Sequence, residues 1–270
     1  MTKTKAMRCL SFFLFILFSI QVNAQWTTVK PRLELGLFAG TPIQEYAEAT
    51  DGIGVGLNLH LAVPISRGVP IYGGFNFGYM LFGSQTQRET LFASITSGGQ
   101  EIDRIDIPLR IVTNNNIYFW HLTGRLQLPI PVIQPYIQGM IGFRYMNTNT
   151  KIYDDSPDGI WSDADNGLIT RQTQLSDYVG SSGIGAGLNI QITRSFMLNA
   201  QVDYLYGGRA RFYDGEDTDK WTVNFTGTPD QIDEIDGDLV EFEAIPRESL
   251  TNMVNFTLGI SILLGDPDRR

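Results

Sequence analysis

The chain has 270 residues, 43% of them hydrophobic, and carries 20 Lys and Arg against 29 Asp and Glu, a formal charge of −9. So acidic a surface argues against nucleic acid as a partner, because phosphate binding needs a basic face. The single cysteine, Cys9, excludes a disulfide framework and a thiolate metal site, and no stretch after the first 24 residues approaches the ~18 consecutive apolar residues of a spanning helix.

The first 24 residues read as a secretory signal peptide. Lys3, Lys5 and Arg8 form a basic segment, Leu10 to Ile20 an apolar one, and Val22-Asn23-Ala24 a small-residue cleavage site. The apolar run is shorter than the ~20 residues that cross a bilayer. Cleavage after Ala24 takes the charge to −12 and leaves residues 25–270, expected to form a single domain.

Eight segments then alternate apolar and polar residues, the period of a strand with one buried or lipid-facing side. The first spans about 32–40, with Leu33, Leu35, Leu37 and Ala39 on one face. The second and third run over about 52–63 and 71–82, the third with Phe75, Phe77, Tyr79 and Leu81 in step. The fourth and fifth cover about 117–128 and 136–146, with Tyr118, Trp120 and Leu122, then Ile141, Phe143 and Tyr145. The last three span about 178–192, 196–207 and 252–264.

The connections alternate in length. Those after the second, fourth and sixth strands are short: Pro64 to Pro70, Pro129 to Pro135, and Thr193-Arg194-Ser195. The other four are longer and hold all the carboxylates except Glu34, Asp203, Asp266 and Asp268. Short turns on one side and long acidic loops on the other describe an outer-membrane β-barrel, whose strands keep charge away from lipid. Within the long connections, Trp221, Val223 and Phe225 alternate with polar residues, as do Val240, Phe242 and Ala244, which predicts an extra hairpin outside the membrane. Ile105 to Ile111 is another candidate strand, so ten strands is the alternative to eight.

The more polar face of the eight strands holds Gly, Asn, Gln, Ser and Thr with little lysine, the composition of a crowded barrel interior. Phe38 and Met140 depart from it. The apolar face carries Tyr79, Tyr118, Trp120, Phe143, Tyr145, Tyr178, Tyr204 and Tyr206 near the long-loop ends, a girdle at one membrane interface. The final strand reads Thr257-Leu258-Gly259-Ile260-Ser261-Ile262-Leu263-Leu264. Here the chain resembles the small outer-membrane β-barrel superfamily, like the transmembrane domains of OmpA and OmpX. The segment is similar to that family's C-terminal assembly signal, although it ends on Leu264 rather than Phe and is followed by Gly-Asp-Pro-Asp-Arg-Arg. The resemblance implies an up-and-down barrel inserted by the barrel-assembly machinery.

The interior face places Glu34, Arg125, Arg144 and Asp203 inside, with His60 and His121. Buried charges must be paired, so these six are expected to form an interior charge network, with a switchable gate as the sharper alternative. No Ser or Asp can be placed beside either histidine from sequence, so no catalytic triad is assigned. Asp154 to Asp165 resembles a calcium loop: Asp154, Ser156 and Asp158 fall at positions 1, 3 and 5, Gly159 at 6 and Asp165 at 12, although Pro157 interrupts it. Weak Ca²⁺ binding there stands beside the plainer reading of a solvated acidic loop. The glycine runs Gly52 to Gly56 and Gly183 to Gly187 alternate within strands and are read as inward spacers, not as a nucleotide loop, so no cofactor is expected.

These readings converge on an eight-stranded antiparallel barrel in the outer membrane, in contact with its lipid, with both termini periplasmic and four long loops outside. The leading expectation is a non-enzymatic protein of surface interaction or envelope integrity, its extracellular ligand unknown. A narrow gated pore and a lipocalin-like soluble carrier are the alternatives.

Overall fold

The computed structural model describes residues 30–50, 52–66, 69–97, 100–156, 167–214, 222–225, 240–243 and 245–264. The signal-peptide segment lies outside them. Eight strands close a barrel: β1 (Arg32–Pro42), β2 (Gly54–Pro64), β3 (Ile71–Ser97), β4 (Gln100–Gln127), β5 (Ile133–Asp154), β6 (Leu168–Gln191), β7 (Phe196–Gly207) and β12 (Met253–Leu263). Each pairs antiparallel with its neighbour along the chain, and β1 pairs with β12 from Arg32↔Leu263 to Pro42↔Met253 to close the ring. Closure leaves no free edge in the barrel wall, the condition for crossing a membrane with strands.

The two faces fall as the alternation requires. Leu37, Leu122, Ile141, Ile184 and Leu258 point outward and are 64–70% exposed, while the opposite residues are buried. An exposed apolar belt around a polar interior is inside out for a soluble barrel and correct for a transmembrane one. The lipocalin-like alternative fails on this point. β1, β2, β7 and β12 have 11, 11, 12 and 11 residues, close to the ~9–11 that span a bilayer.

The other four strands are much longer, with 27, 28, 22 and 24 residues for β3 to β6. The second and third long connections are therefore largely continuations of the barrel strands. Pairing of β3 with β4 runs out to Ser97↔Gln100, and of β4 with β5 to Leu109↔Asp154. The result is a four-stranded fin standing above the girdle on one side. Ile105 to Ile111 belongs to β4 and is not a separate strand. The alternation was weak there because the fin faces water on its outer side, where a strand needs backbone partners but no apolar stripe.

The extra hairpin does form: β9 (Thr222–Phe225) pairs with β10 (Val240–Glu243), from Val240↔Phe225 to Glu243↔Thr222. Trp221 and Ala244 lie outside the described residues. The hairpin does not join the ring, so the barrel has eight strands and not ten. A second small pair joins β8 (Arg209–Phe212) to β11 (Arg247–Leu250), segments too short to show a strand period in the sequence. A five-residue helix, α1 (Glu45–Ala49), occupies the first long loop, with Glu45 and Glu48 at its positive end.

The turn between β4 and β5 is strained. The Val132 carbonyl accepts from Gln191, and Ile133 N–H bonds Pro131 O at 2.9 Å, a γ-turn whose central residue, Val132, has φ 72°. A β-branched side chain there costs on the order of 1–3 kcal/mol. Val132→Gly should raise barrel stability by about 1 kcal/mol, read as a higher urea midpoint in lipid vesicles; an unchanged or lower midpoint would show that the turn is relaxed.

Candidate functional site

Inside the barrel the side chains form two stacked levels. The lower level, toward the short turns, centres on Glu34. Register places Glu34 opposite His60 on β2 and Ser261 on β12. Arg125, reaching across from β4, clamps its carboxylate through Nη1 and Nη2 at 2.6 and 2.8 Å. His60 Nδ1 lies 2.7 Å from the second oxygen, and Ser261 Oγ donates to the first at 3.1 Å. With Nδ1–H donating to Glu34, His60 Nε2 accepts from Thr123 Oγ1 at 2.9 Å. Every group of the pair is thus hydrogen-bonded, the condition under which buried charge is tolerated.

The network continues across the lumen. Arg125 Nε and Nη2 donate to Gln138 Oε1 at 3.1 and 2.9 Å, and its guanidinium lies 3.9 Å from the centre of the Tyr136 ring. Gln138 and Gln201 donate to the two oxygens of Asp203 at 3.2 and 2.5 Å. Tyr136 donates to Gln201, and Asn199 links Tyr136 to Asn189. Nearer the turns, Arg32 donates to Tyr72 and Gln127, and Gln127 to Gln134. Arg32, Glu34, His60, Arg125 and Asp203 are all at most 6% exposed.

The upper level is mostly apolar, with the buried Arg144 guanidinium 5.6 Å from the centre of the Phe119 ring. Phe38, Met80, Phe119, Met140, Leu205 and Met253 are buried together, with the Phe38 and Phe119 rings edge to face at 5.7 Å. The two departures from the polar face, Phe38 and Met140, are thus members of one layer. Tyr46 of α1 closes it from outside: it is wholly buried, 5.5 Å from Phe82 and 5.1 Å from Phe212 of β8. Burial pushes the Tyr46 phenol up, so it stays neutral in this lid. Between the levels lies a cavity of about 20 Å³ lined by Asn58, Asn76, His121, Asp203 and Asn255, among others, room for about one water.

The six predicted interior residues do lie inside, but as two groups. Glu34, His60, Arg125 and Asp203 share the lower network. Arg144 and His121 meet higher up on Ser181 Oγ, which lies 3.0 Å from Arg144 Nε and from His121 Nε2; Arg144 Nη1 donates to the Thr251 carbonyl at 2.5 Å. Sequence parity could show the face of each residue, but not its height, which depends on strand stagger.

The calcium-loop residues are only partly described. Asp154 Oδ1 accepts from the Ser156 N–H at 2.9 Å and its hydroxyl at 2.5 Å, a local turn. The neighbouring Asp155 is held by Arg88 and Arg110 at 3.0 and 3.4 Å. Asp158 and Asp165 lie outside the described residues, and among the described residues no cluster of three metal-ligating side chains occurs. Around the mouth, ion pairs tie the loops together: Arg209 to Glu45, Arg211 to Asp177 and Arg247 to Asp214, at 2.9, 3.9 and 3.1 Å. Arg247 also donates to the Ala49 carbonyl, joining the fourth loop to the first.

No protein-family model matches the chain, and no curated protein matches it. Among solved structures, neisserial surface protein A (NspA) is similar over 88% of this chain and 99% of its own, with 6% identity and a TM-score of 0.40. The attachment invasion locus protein Ail of Yersinia pestis is similar over 88% of this chain and all of its own, with 12% identity and a TM-score of 0.39. The outer membrane protease OmpT of Escherichia coli covers 91% of this chain at 8% identity and a TM-score of 0.34. The register of the eight strands, the apolar belt and the filled interior stand on the coordinates of this chain alone. They make it a transmembrane, eight-stranded, up-and-down β-barrel.

Proposed function

We propose that this protein is a non-conducting barrel of the outer membrane whose work is done at the outer surface, by the fin and the acidic loops, in surface interaction or envelope integrity. The observation that carries the reading is the closure of the lumen by the hydrogen-bonded level around Glu34 and Arg125 and the apolar level beneath Tyr46. Eight strands leave room for side chains and little else. A gate would need to break a bidentate buried pair and unpack a Phe and Met layer together. Both histidines of the chain sit in the barrel wall behind these layers, bonded to Glu34, Thr123 and Ser181, where no external substrate reaches them. That favours a binding or structural role over catalysis. The short turns are assigned to the periplasm and the fin to the outside, with insertion by the barrel-assembly machinery.

The test is electrical. Purified protein in planar bilayers should give no steady single-channel steps, before or after Tyr46→Ala, because the lower level still blocks the lumen. Steady conductance in the native protein would replace this reading with the gated pore.

A further inference from the structure

The outward face of the fin carries a charge pattern that folding alone does not favour. On β5 and β6, Lys151 stands directly opposite Arg171. One row farther out, on β3 and β4, Arg88 stands directly opposite Arg110. Like charges paired across strands destabilise a sheet. Asp155 relieves the second pair by bonding both arginines, at 3.0 and 3.4 Å. Among the described residues, no carboxylate pairs with Lys151 or Arg171. In a chain of net charge −9, four cations share this face; of its described carboxylates, Asp155 is engaged by two of them and Asp106 stands two rows beyond Arg110 on β4.

The height of this patch selects its partner. Below it on the same face lies a continuous aromatic plate. Tyr79, Tyr118, Tyr145 and Tyr178 follow one another across β3 to β6 with centroids 5.1, 6.0 and 4.6 Å apart, and Trp120 stacks on Phe143 beneath them. This plate marks the acyl boundary. Lys151 stands six residues beyond Tyr145, roughly 20 Å along the strand and about 15 Å in height after strand tilt. The headgroup layer of an ordinary bilayer is only about 5–8 Å deep on each side. A phospholipid phosphate at that depth falls short of the cations. The rows between hold amides and hydroxyls, among them Asn114, Asn147 and Thr173, which suit sugar hydroxyls.

We propose that the outer face of β3–β6 binds an outer-leaflet glycolipid, with acyl chains on the aromatic plate, sugars on the amide rows and a sugar-borne phosphate between Lys151 and Arg171. The inference rests on the outer-membrane placement above, and names the ligand of that surface. The phosphate takes the place at the Lys151–Arg171 pair that Asp155 takes at its neighbour.

The full chain is refolded into phosphatidylcholine vesicles, and the midpoint of its heat-induced mobility shift is measured. The additions are a glycolipid with phosphorylated core sugars, the same glycolipid with its core phosphates removed, phosphatidylglycerol, and soluble inositol hexakisphosphate. The midpoint should rise by several degrees with the phosphorylated glycolipid only. Lys151→Gln/Arg171→Gln should be at least as stable as the native protein in phosphatidylcholine, because the repulsion is gone, and should lose the glycolipid gain. An equal gain in the double variant overturns the site. An equal gain from the dephosphorylated glycolipid, from phosphatidylglycerol or from the soluble phosphate overturns the sugar-borne phosphate. Failure of the native chain to insert in any vesicle overturns the membrane placement itself.

Discussion

Glu34→Gln is expected to destabilise the barrel by about 3–5 kcal/mol, the range found when one partner of a buried ion pair is removed. Arg125 is 1% exposed and takes its negative partner from Glu34 through two hydrogen bonds. The amide keeps the shape but not the charge, and it presents an N–H₂ where one of those donors already points. Whichever oxygen becomes the amide nitrogen, either His60 or Ser261 also loses its acceptor. Urea unfolding in vesicles, followed by tryptophan fluorescence, reads the cost as a lower midpoint at unchanged slope. Replacing both partners, as Glu34→Gln/Arg125→Gln, should recover much of the loss, because no isolated charge then remains inside. A single substitution costing less than about 1 kcal/mol would mean that water already screens the pair. The same variant also bears on the gate: a pair that switches would yield conductance when broken, whereas a structural pair yields a weaker barrel that still does not conduct.

What the sequence could show was set by its period of two. Glu34, His60, His121, Arg125, Arg144 and Asp203 each fall on the inner parity of their strands, and the register keeps them there. The short turns were legible from their prolines and the lipid face from its leucines. Three features were not. The fin looks like loop in the sequence, because Gln85, Thr86 and Gln87 face Thr113, Val112 and Ile111 in a ladder held by backbone bonds, with no apolar stripe on the outer face. The division of the interior charges into two levels depends on stagger between strands, which no single strand records. The lid was hidden because Tyr46 lies in a five-residue helix and its contact Phe212 in a four-residue strand, both too short to show a period. The like-charge row Lys151↔Arg171 follows the same logic: the residues are plain in the sequence, but only the β-bulge between Thr148 and Asn149 brings them opposite each other.

Gly142→Ala should be among the most damaging conservative changes in the barrel, and Gly139→Ala, on the same strand, among the mildest. The two glycines point to opposite sides of β5. A methyl on Gly142 would lie 1.8 Å from the Trp120 carbonyl oxygen and 2.8 Å from His121 Cα. Both obstacles are backbone of the neighbouring strand, so no rotamer change relieves them, and the β4–β5 ladder has to part. Overpacking that side chains can absorb costs about 1–3 kcal/mol, and this site lacks that escape, so a loss of about 3 kcal/mol or more is expected. A methyl on Gly139 meets nothing within 4 Å. Lower backbone entropy in the unfolded chain makes that change neutral or favourable by about 0.4–1 kcal/mol. Refolding yield by the cold and heated mobility shift, with urea midpoints for whatever folds, separates the pair. Equal tolerance at both positions would contradict the close approach of β4 and β5 that lets an eight-stranded ring fill its own interior, and the closed lumen would then lose its structural basis.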